Sequence, residues 1–144
     1  MPFQIAFTCY CTPAPQGSMR AFNHKGRDGK LHARLTSDNK NTMPYRHALA
    51  QVALMEATKI GIVPLAVAGV PVGLDVTWHL RKPKSAKKNA LPAKKPDSDK
   101  LLRSTNDALT GIIWHDDAQV VRVQAKKVYG EPERVEILAY TMEE

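Results

Sequence analysis

Two pairs of aspartates stand close together in this chain. Asp97 and Asp99 are separated by one residue in Lys95-Pro96-Asp97-Ser98-Asp99, and Asp116 and Asp117 are adjacent. Pro96 keeps Lys95 extended. In an extended stretch, residues two apart point the same way. Two converging carboxylates repel until a proton or a cation relieves them. With one acid of the second pair, they form an oxygen-only donor set of three. That set suits Mg²⁺, with Mn²⁺ as a substitute, rather than zinc or copper. Such an ion retains waters, can position one as a nucleophile, and stabilises charge on a phosphodiester. The chemistry indicated is hydrolysis of a phosphate ester.

The surroundings fit a polyanion. Lys88, Lys94, Lys95, Lys100 and Arg103 flank the first pair, and the chain carries a formal net charge of +7 over 144 residues. Cations that neutralise phosphates release counterions, so a basic rim lets a nucleic-acid backbone approach an acidic centre. The run from Arg81 to Lys95 reads as an exposed basic loop and a DNA contact. Arg103 follows Asp99 by four residues and so shares its helix face. Arginine stays protonated, so Arg103 can clamp a phosphate but cannot act as a general acid. Taken singly, each aspartate also has a structural explanation: Asp97 as a helix cap, Asp116 or Asp117 as a turn residue. His115 adjoins the second pair, where a surface role is simpler than activation of water.

The elements that must position these groups follow from periodicity. Residues 3–10 alternate apolar and polar and predict a half-buried strand. Residues 16–41, rich in Gly, Asn, Lys and Arg, allow one or two short strands. A helix is expected from about Pro44 to Lys59, with Leu49, Val52, Ala53 and Met55 on its apolar stripe. Residues 70–80 give the clearest strand, with Val72, Leu74, Val76, Trp78 and Leu80 on one face. A second helix is expected over 98–110, closed by Gly111. Residues 118–129 and 134–142 read as two strands joined at Gly130 and Pro132 as a hairpin. A helix lying antiparallel to the first of them could return Asp116 or Asp117 to Asp97 and Asp99. Alternation sends those two side chains to opposite faces, so one of them reaches the site. The order predicts one α+β domain over residues 1–144, a mixed sheet with two main helices packed on it. Trp78 and Trp114 are expected in the core.

No apolar run approaches transmembrane length, and the start MPFQIAF lacks the basic residues of a signal peptide. Cys9 and Cys11 lie too near along one strand for a disulfide and have no partners at zinc spacing. These features predict a cytoplasmic protein with reduced thiols.

Lys95-Pro96-Asp97-x-Asp99-x-Leu101, then Arg103, Asp107, Leu109, Gly111 and Asp116-Asp117-Ala118-Gln119-Val120, resembles the RusA family of Holliday-junction resolvases. The stretch Pro13-x-Pro15-Gln16-Gly17-Ser18-Met19-Arg20-Ala21-Phe22 resembles that family's N-terminal basic loop. The resemblance implies a bacterial or phage-encoded α+β homodimer. It would bind four-way DNA junctions in recombination and repair and make paired symmetric nicks with Mg²⁺. It implies Asp97, Asp99 and Asp117 as metal ligands, with Asp116 the alternative to Asp117. Lys100 stands where the family often has Asn, Arg103 where it often has Lys, and Gln16 where it often has Lys. DNA contact by the N-terminal loop then falls to Arg20 and Lys25. Three rivals remain open: a less selective nuclease of branched DNA, a non-catalytic DNA-binding module with structural acids, and a metal-free RNA-binding protein.

Overall fold

A computed structural model describes residues 2–143 other than Ser18, Gly26, residues 28–30 and Asp38, with the backbone alone for the two strands between Met19 and Ser37. The elements in chain order are β1 (Gln4–Cys9), β2 (Met19–Lys25), β3 (Leu31–Ser37), α1 (Thr42–Thr58), β4 (Val72–Leu80), α2 (Ser98–Leu109), β5 (Val120–Tyr129) and β6 (Arg134–Thr141). A short 3-10 turn, Asp117–Gln119, leads into β5. β1, β6, β4 and β5 form one mixed sheet in that order, and β2 pairs with β3 in a separate two-stranded ribbon. The fold is α+β, with both helices on one face of the mixed sheet.

The expected β5–β6 hairpin does not form. β5 pairs with β4 in parallel, and β6 lies between β4 and β1, antiparallel to both. The reason lies in β4, the most apolar strand. Val72, Leu74, Val76, Trp78 and Leu80 are buried, and a strand so deep in the core is best flanked on both sides. The 130–133 turn therefore crosses the end of β4, where Gly130 N donates to Leu80 O at 2.9 Å. A side chain at Gly130 would run into the His79 ring there, at 2.8 Å. A short turn alone does not specify strand adjacency; burial does.

α1 starts two residues earlier than expected, and its seam is Tyr45, Leu49, Ala53 and Ala57. Met55, expected on the stripe, is exposed. It is out of phase with that i, i+4 row. α2 buries Leu101, Ser104, Thr105, Ala108 and Leu109. Gly111 follows it at φ 88°, the left-handed conformation expected of a helix-terminating glycine. Trp78 and Trp114 are fully buried. Trp78 joins the layers: its Nε1 donates to Thr105 Oγ1 at 3.2 Å and Tyr45 Oη at 3.3 Å, and those two oxygens lie 2.7 Å apart. This polar cluster fixes α1, α2 and β4 relative to one another. Its burial pushes the Tyr45 hydroxyl above the usual phenol range. Both cysteines are free, and Cys11 Sγ donates to Cys9 O at 3.6 Å. Among the described residues, no helix is long and apolar enough to cross a membrane.

Candidate metal-dependent nuclease site

Asp97 stands in the N-cap position of α2 with extended backbone, yet its side chain makes no capping hydrogen bond. Its carboxylate is exposed, 3.8 Å from Lys100 Nζ. Asp99 is exposed in the first helical turn. There the helix dipole favours a negative group. Arg103 is exposed one turn further along the same face. The cap that would have made Asp97 merely structural is thus not made.

The second acidic pair divides its work. Asp116 Oδ1 accepts from Ala118 N at 2.9 Å, and Gln119 Oε1 accepts from Asp116 N at 2.8 Å, a reciprocal capping box. Gln119 Nε2 donates to Val67 O and Val70 O at 2.8 and 2.9 Å. Asp116 and Gln119 therefore anchor the turn to the 67–70 loop. The Asp117 residue is exposed and begins the 3-10 turn.

A single chain does not bring the two pairs together. α2 does run antiparallel to β5, as the sequence suggested. That arrangement carries the last residues of the strand, not the first, back to the helix start. Lys127 near the end of β5 donates from Nζ to Lys94 O and Pro96 O, both at 2.9 Å. At the other end, Trp114 pairs with Thr110 just past α2, and the chain turns there towards Asp116. The twelve residues of α2, about 18 Å at the usual rise, thus lie between Asp97 and the Asp117 end of the chain, and ten of them between Asp99 and that end. Oxygens sharing one Mg²⁺ lie within about 4 Å of one another. Consistently, among the described residues no three His, Cys, Asp or Glu side chains are gathered to hold a metal ion.

Lys127 was not singled out from the sequence, although a signal was there. It falls in phase with Val121, Val123 and Ala125, a cation on the strand's apolar side. Its two hydrogen bonds fasten the backbone that leads into Asp97. Beside Asp97 lies a cleft of about 370 Å³, bounded by the 13–17 loop, Lys95, Pro96 and Lys100. Lys88, Lys94 and Lys95 are exposed on the connection before α2. Arg20 and Lys25 fall on β2, and their side chains lie outside the described residues. His115 is exposed.

A family profile described as "Endodeoxyribonuclease RusA" matches residues 12–139, nearly the whole chain. YqaN of Bacillus subtilis (strain 168), described as an uncharacterized protein, is 34% identical over 136 residues, covering 93% of this chain and 94% of that one.

Proposed function

The chain belongs to the RusA family of endodeoxyribonucleases, and on that footing we propose that it is a Mg²⁺-dependent nuclease resolving four-way DNA junctions by paired nicks, in recombination and repair. Asp97, Asp99 and Asp117 are the metal ligands on this reading. The observation that carries it is the exposed Asp97 carboxylate, at a cap position without a capping bond and beside the Lys100 ammonium. The donor set is all oxygen and suits Mg²⁺ or Mn²⁺. When bound, the ion supplies an activated water and neutralises charge on the phosphodiester. Arg103 holds a phosphate oxygen and stabilises the charge that grows on it as the bond to water forms. Lys88, Lys94, Lys95 and Lys100, with Arg20 and Lys25 from β2, hold the flanking backbone.

Since one chain leaves Asp117 a helix length away, this reading calls for a second copy. β5 is an edge of the sheet. Val121 and Val123 are 62% and 39% exposed on it. A long, open, partly apolar edge invites another strand. Two β5 edges paired antiparallel about a two-fold axis would set the start of one strand beside the end of the other. The Asp117 of one subunit would then approach the Lys127 end of its partner, where Asp97 and Asp99 stand. Two symmetric sites suit two opposed strands.

A strand-labelled junction and a linear duplex, each with Mg²⁺ or EDTA, test the reading. Paired cuts are expected in the junction and only with Mg²⁺. Equal cutting of the duplex would replace the resolvase by a less selective nuclease. Binding without cutting would leave a DNA-binding module.

Lys127 has a positioning role on the same reading. Lys127→Met is expected to lower cleavage about 10- to 100-fold, the usual scale for groups that orient metal ligands. It should also raise the Mg²⁺ concentration for half-maximal rate, and Lys127→Arg should recover part of the loss. A Mg²⁺ titration of the cleavage rate checks this; an unchanged titration would show that Lys127 does not position the acids.

A further inference from the structure

The ribbon of β2 and β3 is a sheet of its own. The chain enters it through residues 13–17 and leaves it through 39–41. Both legs of the ribbon line the cleft beside Asp97. Pro13, Ala14 and Pro15 offer three carbonyls and a single N–H, so side chains that hold this leg must be donors. Two buried hydroxyls serve. Ser104 on α2, 0% exposed, donates from Oγ to Ala14 O at 2.6 Å. Thr42 at the start of α1, 2% exposed, donates from Oγ1 to Pro15 O at 2.7 Å. Gln16 N then donates to Lys100 O at 2.9 Å, one residue past Asp99. Pro15 and Thr42 are 27 positions apart with both strands between them, so the Thr42 bond closes the base of the ribbon. The three bonds join that base to α1, to α2 and to the backbone beside Asp99.

We propose that Thr42 and Ser104 are positioning residues: they fix the direction of the β2–β3 arm against Asp97 and Asp99, so that DNA held by the arm offers one defined phosphate to the acids. The proposal rests on the nuclease reading for the acids and for the arm's contact with DNA. Both hydroxyls are buried, so neither reaches DNA, and their effect is on alignment alone. A misplacement of about 1 Å can cost a reaction about a hundredfold. Affinity depends on the number of cations against the phosphates, and loosening the joint removes none of them. A looser arm therefore spreads the cuts over neighbouring phosphates and slows each of them without releasing the DNA.

The test uses the full-length protein and two readouts on one labelled four-way junction. Cut positions and single-turnover rates are mapped to the nucleotide with Mg²⁺, and a hydroxyl-radical footprint is taken without it. Thr42→Val keeps the side-chain shape and loses the donor, Ser104→Ala does the same on α2, and Thr42→Ser restores a hydroxyl. Thr42→Val should slow cutting about ten- to hundredfold, spread it over adjacent phosphates and blur the footprint edge, with affinity within about threefold of wild type. Thr42→Ser should return the single cut position. Melting temperatures show whether each variant is folded, and Ser104→Ala carries the test if Thr42→Val is not. A folded variant that is less stable but keeps the wild-type cut position and footprint edge overturns the proposal, because its hydroxyl then serves the fold alone. That result beside Mg²⁺-dependent cutting by the wild type leaves the nuclease reading standing. A wild type that binds and never cuts, with a footprint edge that blurs in Thr42→Val, supports the joint while overturning the nuclease reading.

Discussion

Asp97→Asn is expected to lower junction cleavage by about a thousandfold or more while changing junction affinity by less than about threefold. Loss of a charged ligand removes both the ion's anchor and the stabilisation it brings to the reacting phosphate, each a large catalytic effect. Asparagine preserves the shape, and the exposed side chain makes no capping bond to lose. Binding is carried by the cations, so deleting one negative charge does not weaken it. Asp117→Asn should behave the same way. Asp116→Asn supplies the contrast. Asparagine caps a helix start as well as aspartate does, and Asp116 is committed to such a cap. That variant should cut within a few-fold of wild type. Single-turnover rates on a labelled junction, with melting temperatures as a control for folding, check all three. An inactive Asp116→Asn beside an active Asp117→Asn would reverse the assignment.

The parts of the structure legible in the sequence were those governed by local pattern. The alternation through Val72, Leu74, Val76, Trp78 and Leu80 is a period-two signal. Gly111 marks the end of α2 because a left-handed residue is needed there. Both signals depend on neighbours within a few positions. Strand adjacency does not. Gly130 and Pro132 mark a turn equally well whether it joins neighbours or steps over β4, and the choice is made by β4's need for cover on both sides. The fold class survived that error because a mixed sheet with two helices follows from element order alone.

The site was legible in its chemistry and not in its assembly. Asp97, Asp99 and the Asp116-Asp117 pair stand out by type and spacing. Which of the second pair is free depends on Gln119, whose amide groups complete the cap on Asp116 and tie the turn to Val67 and Val70. The separation of Asp117 from Asp97 follows from the direction of α2 against β5. Lys127 shows the same geometry from the other side. The helix start meets the end of the strand, so the residue that reaches Pro96 is ten positions beyond Asp117.

If two copies of the chain share each set of acids, subunit complementation will reveal it. Asp97→Asn and Asp117→Asn chains carrying different tags are purified as a mixed dimer and given a junction labelled on each strand. In that dimer one site contains both substitutions and the other contains neither. Nicking of one strand per junction is expected at about half the wild-type rate per dimer, although each parent dimer is inactive. A mixed dimer as inactive as its parents, or a cutting-competent monomer, would contradict it.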